Sequence, residues 1–403
     1  MQGNKNIPEL RFPEFEGEWE EKKLSQIIYK AKAGGTPKSS IKEYYNGNIP
    51  FLSINDMTNE GKYITYTKKS ITEKGLKNSS AWLVPEKSLL YSMYASVGFV
   101  SINNIPLTTS QAIFNIIFKE QISLEFMYYY LTFYKRYSHK YIETGTQGNL
   151  NAKLIKNFKI KIPSKEEQEK IANFLTCIDQ KISFMEKKYT ILENYYKSLI
   201  HQTYAFNQNK PKITFSNMNW EEISLNDILD EISIKSTENN QYPLLSSTVN
   251  GIFLQDEYFD RNVGSKDNTG YKIISKNEIV FSPQNLWMGN INVNDKFEKG
   301  IVSPSYKIFK TNKKVKIGFL KHLLKTERMI YEYKLSSEQG ASIVRRNLNM
   351  NLFLDIKIKI PSIEEQEKIA RLMEYIMSHR DKIKKEINIA KEFKKTMLSK
   401  MFC

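Results

Sequence analysis

The side chains in this chain best suited to chemistry are hydrogen-bonding groups gathered in short polar stretches. Gly34–Ser40 reads GGTPKSS, in which Gly34 and Gly35 precede the hydroxyls of Thr36, Ser39 and Ser40 around the cation of Lys38. Thr108-Thr109-Ser110-Gln111 follows a proline by two residues and adds a primary amide to short donors, and Gly145-Thr146-Gln147-Gly148 repeats the theme. The second half of the chain offers Ser246-Ser247-Thr248, then SPQNLWMGN (Ser282–Asn290) with Gln284 and Asn285, then ASIVRRN (Ala341–Asn347) with Arg345, Arg346 and Asn347. Such groups recognise rather than react. Gln and Asn amides match adenine bidentately, and Arg matches guanine O6 and N7 or clamps a phosphate. Each stretch also has a plain reading as a surface turn, a strand end or a capped helix, and Trp287 suits a core.

Bond-making constellations are missing from the sequence. It has no G-x-x-x-x-G-K-[ST] phosphate loop and no G-x-G-x-x-G, so ATP and dinucleotides lack their usual cradles. It also lacks the Asn-Pro-Pro-Tyr or Asp-Pro-Pro-Tyr signature with which adenine methylases hold a flipped base. The four histidines (His139, His201, His322, His379) are scattered, with no helical His pair or Cys cluster for zinc. No catalytic residue, cofactor site or metal site is therefore expected, which favours a binding protein.

The formal net charge is +16 over 403 residues. Lysines and arginines that neutralise phosphates release counterions, so such a balance suits nucleic acid, although a Lys-rich composition also explains it. No apolar run reaches the roughly 18 residues of a membrane span, and MQGNKNIPELRFPEF lacks the apolar core of a signal peptide. With only Cys177 and Cys403 as cysteines, a disulfide framework is not expected and a cytoplasmic setting is.

What positions these groups is a duplication. Lys159–Ala172 reads KIKIPSKEEQEKIA and Lys357–Ala370 reads KIKIPSIEEQEKIA, so 13 of 14 positions agree at an offset of 198. Asn149-Leu150-Asn151 and Asn347-Leu348-Asn349 share that offset, and Trp19-Glu20-Glu21 reappears as Trp220-Glu221-Glu222. The intervening bodies are dissimilar, as for one scaffold built twice with different loops. In each copy, alternating Ile and Lys predict a half-buried strand, and the proline ends it. Ser164 with Glu167, and Ser362 with Glu365, predict capping boxes, and Glu166–Lys170 and Glu364–Lys368 predict i,i+4 ion pairs. Ser88–Ser101, Glu278–Phe281 and Gly300–Phe309 read as strands with turns. Glu125–Tyr137 and Ile317–Tyr333 read as helices.

Beyond each KIKIPS a long helix is expected. Leu175, Ile178, Ile182, Met185, Tyr189, Leu192, Tyr196 and Leu199 alternate spacings of three and four, which is a heptad seam. The second copy gives Met373, Ile376, Ile383, Ile387, Ala390 and Met397, with Arg380 and Lys394 interrupting. A seam needs a partner: the other copy packed antiparallel, a helix of another protein, or both. At ~1.5 Å per residue, about 40 residues make a rod of roughly 60 Å. The lysines along it suit a solvated face or DNA running beside it.

The opening IPELRFPEFEGEWEEKKLSQI, GGTPKSS, GTQGNLN and the twice-used IPSxEEQEKIA resemble the specificity subunit of type I restriction-modification systems, over nearly the whole chain. The resemblance implies an α+β protein. Two similar mixed α/β target recognition domains (1–163 and 207–361) would be joined by two long antiparallel coiled-coil helices (164–206 and 362–403) in a pseudo-twofold repeat. It further implies a non-catalytic subunit reading a bipartite site in double-stranded DNA. Two modification subunits using S-adenosylmethionine and two restriction subunits using ATP and Mg would supply the chemistry. The polar stretches above become candidate DNA contacts. The alternatives are a specificity module for a methylase without a nuclease, a coiled-coil scaffold that binds no DNA, and an independent methylase.

Overall fold

The strand after each tryptophan pairs with KIKI in both halves, so each half is closed by its own two ends. Glu20–Lys23 runs antiparallel to Lys159–Ile162, with Glu20 opposite Ile162. Glu221–Ser224 pairs in the same way with Lys357–Ile360, with Glu221 opposite Ile360. As the alternation predicts, Ile160, Ile162, Ile358 and Ile360 are buried. The computed structural model describes residues 6–137, 150–207, 210–216, 219–258, 267–339 and 345–403. The chain divides into two units, one running to Met185 and including Glu386–Cys403, the other spanning Glu186–Lys385.

The two units carry one sheet plan. In the first unit, β1 (Ile28–Ala33), β2 (Leu89–Ser92), β3 (Val100–Asn103) and β4 (Ile113–Phe118) lie in the order β1-β4-β2-β3, all antiparallel. Tyr63–Ile64 adds a parallel fifth strand beside β3. In the second unit, β5 (Leu229–Ile232), β6 (Ile279–Phe281), β7 (Ile291–Val293) and β8 (Lys307–Thr311) lie in the order β5-β8-β6-β7, again antiparallel. The dissimilar bodies thus share a frame. The first helix candidate forms Leu124–Tyr134. The second is broken into Ile317–Leu323 and Glu327–Leu335, because Thr326 accepts from the Met329 amide and starts a new helix. His322, near the break, is buried, and its Nδ1 lies 2.8 Å from the Tyr196 hydroxyl. Burial lowers its pKa to about 3, so it is neutral.

The two long helices span Lys165–Tyr204 and Ile363–Lys400. Every residue of the expected seam is buried or half-buried. In the first unit, Leu175 and Ile178 of the first long helix share a core with Met397 and Leu398 at the far end of the second, and with Phe402 beyond it. In the second unit, Tyr196, Leu199 and Tyr204 share a core with Met373 and Ile376 at the near end of the second helix. Within each unit the two helical segments therefore pack antiparallel, and Ile178 and Ile376 occupy equivalent places in their own units. The two interruptions are ion pairs: Arg380 bonds Glu193 at 3.2 Å in the second unit, and Lys394 bonds Asp179 in the first.

The duplicated EEQEK is a joint. Glu167 is 1% exposed and accepts from Arg11 Nε at 2.8 Å, Arg11 Nη2 at 2.7 Å and Trp19 Nε1 at 3.2 Å. Gln168 donates to the Pro163 carbonyl and accepts from the Ser123 amide, which ties the helix start to the Leu124–Tyr134 helix. In the second unit Glu365 accepts from Thr214 Oγ1, the Phe215 amide and Ser216 Oγ. Gln366 donates to the Pro361 carbonyl and accepts from the Lys316 amide, just before the Ile317–Leu323 helix.

The expected capping boxes are only half made. Ser164 and Ser362 accept from the Glu167 and Glu365 amides, but those carboxylates point into the joint. A charge-assisted bidentate Arg bond outweighs a return bond to the cap. Likewise Lys170 pairs with Glu14 at 2.7 Å rather than with Glu166.

Replacing Arg11 by Met leaves the Glu167 carboxylate buried without its cation. The expected loss is about 3 kcal/mol or more. Hydrogen exchange should show it as lost protection at the start of the first long helix, with the second unit unchanged.

Candidate nucleic-acid interface

In the first unit two of the candidate stretches come together. Strand β1 delivers Gly34 and Gly35 against the turn before β4: the Gly34 amide donates to the Ile113 carbonyl and the Gly35 amide to the Thr109 carbonyl. A Cβ on Gly34 would lie 2.2 Å from the Thr109 carbonyl oxygen, and one on Gly35 2.2 Å from the Ser80 hydroxyl, so only glycine fits at either. Thr36 then reaches across and donates to Gln111 Oε1. Thr36, Lys38, Ser39, Ser40 and Gln111 are exposed, and Ser110 is half-buried. Lys32 extends the same edge, donating to the Ser80 carbonyl, and Lys30 lies 4.8 Å above the Trp82 ring.

Two members of the expected set are struts rather than contacts. Gly35 is buried by the close approach just described. Thr109 is 0% exposed, and its hydroxyl exchanges bonds with the buried amide of Asn115. Thr146 and Gln147 lie outside the described residues.

In the second unit the turn between β6 and β7 is the Ser282–Asn290 stretch, and the described residues of the other two stretches meet it. The Arg346 amide donates to the Gln284 carbonyl at 3.2 Å, and the Arg346 guanidinium lies 5.9 Å from the Trp287 ring centroid. Asn290 and Asn292, on the other side of that turn, donate to the Ser247 carbonyl and Ser247 Oγ respectively. Ser246 and Ser247 are buried in the Leu245–Thr248 strand, and Ser247 supports the turn by donating to Asn290. Gln284, Arg345 and Asn347 are exposed, and Asn285 and Thr248 half-buried. Arg346 is half-buried and committed inward: Nε donates to Ser337 Oγ at 3.0 Å and Nη2 to the Ser337 carbonyl at 2.7 Å. That clamp holds the short ladder between Ser337–Gln339 and Arg346–Leu348, in which Asn347 pairs with Glu338, and Arg345 immediately precedes the ladder.

The same place in the first unit was missed by sequence reading. The turn between β2 and β3 corresponds to the one between β6 and β7, and the Leu150 amide donates to the Met93 carbonyl at 3.0 Å as Arg346 does to Gln284. Tyr94, Ala95 and Ser96 there are exposed. Ala95 and Ser96 have φ of 34° and 44°, a costly conformation for residues with a Cβ. The Ser92 hydroxyl fixes it by donating to the Tyr94 and Ala95 carbonyls at 2.7 and 2.8 Å. Laying the two halves over each other by strand order, instead of by residue identity, would have found it.

Among the described residues no group of three or more His, Cys, Asp or Glu is placed to hold a metal. No helix among them is long and apolar enough to cross a membrane. Two equivalent α+β units, each bearing polar loops and each containing a segment of both long helices, define a tandem scaffold. The chain belongs to the family described as type I restriction modification DNA specificity domain, which matches residues 16–194 and again 217–391.

Among relatives, the MjaIX type I restriction enzyme specificity subunit of Methanocaldococcus jannaschii is 34% identical over 219 residues, 53% of this chain and 48% of that one. The HindI specificity subunit of Haemophilus influenzae is 36% identical over 156 residues, 37% of this chain and 32% of that one. The chain thus spans about half and about a third of the lengths of these two relatives. The crystal structure of a type I restriction-modification S subunit from M. genitalium covers 98% of this chain and 99% of its own, with a TM-score of 0.61 at 15% identity, a likeness of fold.

The two adjacent arginines should separate by experiment. Arg346→Ala removes two bonds to Ser337 and should cost about 1–2 kcal/mol, loosening Ser337–Gln339 in hydrogen exchange. Arg345→Ala, on the exposed side, should stay within about 0.5 kcal/mol of the parent in thermal melts.

Proposed function

We propose that this chain is the DNA-reading subunit of a type I restriction-modification complex and that it recognises a bipartite, asymmetric site in double-stranded DNA. One observation carries the reading: the same four-stranded frame occurs twice, and at the same turn of that frame it bears different exposed donors. Tyr94, Ser96, Thr36, Lys38, Ser39, Ser40, Ser110 and Gln111 would face one half-site. Gln284, Asn285, Thr248, Arg345 and Asn347 would face the other. Amides and guanidinium groups on such turns read base edges in the major groove, while Lys38 and the hydroxyls hold phosphates. The net charge of +16 supports a phosphate-bound partner.

In this reading the chain performs no chemistry of its own. Two modification subunits with S-adenosylmethionine would methylate adenine, and two restriction subunits with ATP and Mg would translocate and cut. All would act in the cytoplasm. A helix of 40 residues, roughly 60 Å at ~1.5 Å each, exceeds one turn of DNA, about 34 Å, so it suits a ruler between half-sites.

Methylation profiling of the host genome gives the site. The chain co-purified with its modification subunit should then bind duplexes of that site with steep salt dependence and prefer them to scrambled ones. Binding without sequence preference would overturn the reading. Replacing Arg345 and Arg346 together by Ala should weaken discrimination at one half-site and leave the other intact. Inserting about four residues near Lys187, roughly one helical turn, should lengthen the preferred spacer without altering either half-site.

A further inference from the structure

Lys325 sits where the helical segment 317–333 breaks, between Leu323 and the Thr326 cap. Its ammonium donates to the Val249 carbonyl at 3.0 Å and to the Gly289 carbonyl at 3.1 Å. Val249 lies in the two-residue turn that joins Leu245–Thr248 to Gly251–Leu254. Gly289 ends the turn between β6 and β7 at a φ of 83°. One cation therefore bridges two separate loops, each bearing exposed polar groups, and no carboxylate shares in either bond.

An ammonium held largely by two neutral carbonyls is a costly anchor. Burial pushes the Lys325 pKa down to about 8, the mark of a charge partly removed from water. A methionine of similar length would occupy the same place without that cost. Stability alone thus gives no reason for lysine here. Geometry does: a single ammonium donates to one carbonyl from each loop, and a double donor fixes their separation.

We propose that Lys325 is a positioning residue for the second unit, holding the Thr248–Asn250 turn and the Gln284–Gly289 turn at the spacing that reads one DNA half-site. The proposal rests on the function proposed above. It assigns Lys325 no contact with DNA. Lys325 acts through Gln284, Asn285 and Thr248, whose backbone it sets.

The test uses the full chain assembled with its modification subunit and a panel of duplexes, each with one base pair changed in one half-site. Lys325→Met should melt at the same temperature as the parent or higher. Its discrimination at one half-site should fall about tenfold, the worth of one charged hydrogen bond, with the other half-site unchanged. Lys325→Arg, which keeps two donors, should retain most of the discrimination. Unchanged discrimination in Lys325→Met overturns the proposal, and so does an equal fall at both half-sites. A lower melting temperature with a proportional loss of all binding reduces Lys325 to a fold-stabilising residue and also overturns it. A parent complex with no sequence preference sinks the function reading itself, a result seen before any variant is made.

Discussion

The buried joint at the start of each long helix is the constraint on which the rest depends. A helix can carry a recognition surface only if the bond between them is stiff, and here stiffness comes from saturated hydrogen bonding at two adjacent side chains. Gln168 and Gln366 are 2% and 1% exposed, and each reaches back to the proline carbonyl and sideways to the amide at the head of the next helix. Glu167 and Glu365 fill their acceptor positions from the segment before the tryptophan or its counterpart. A carboxylate or amide left unpaired at such burial costs several kcal/mol, so every partner is held to its place. The joint lies inside the stretch in which 13 of 14 residues agree in both copies, while the bodies diverge.

The two joints reach the same end with different donors. In the first unit a charged guanidinium and an indole serve Glu167, and in the second two hydroxyls and a backbone amide serve Glu365. The invariant part is the acceptor on the helix. The polar loops follow the same logic in reverse: the frame strands are common, and the turns on them differ. In the first unit a serine hydroxyl stabilises a strained turn at Ala95 and Ser96, and in the second a lysine bridges two relaxed ones.

This division explains what the sequence disclosed. The KIKI strands and the helical seam were legible because periods of 2 and 3.5 are local, and burial followed them at every seam position. The ion pairs at Arg380 and Lys394 read as interruptions because their partners lie 187 and 215 residues away, at Glu193 and Asp179. The capping box misled for the same reason: Ser164 and Glu167 satisfy the local pattern, but Arg11, 156 residues upstream, claims the carboxylate. Thr109 and Ser247 have the right chemistry for a DNA contact and the wrong depth. Residue type reports donors, whereas only tertiary packing reports where they point.

The candidate surface is consequently a matter of what the frame leaves over. Asn115, Asn290 and Asn292 are buried and spend their amides on Thr109, Ser247 and the turn between them, so none can change without loosening a loop. Arg346 is held by Ser337 while its neighbour Arg345 is exposed. An exposed tip on a pinned turn loses little further backbone freedom when it meets a ligand, so more of each hydrogen bond appears as affinity. Under the proposed function, selectivity would then be altered by exchanging tips alone, with the pins, the sheet and the joint beneath them left as they are.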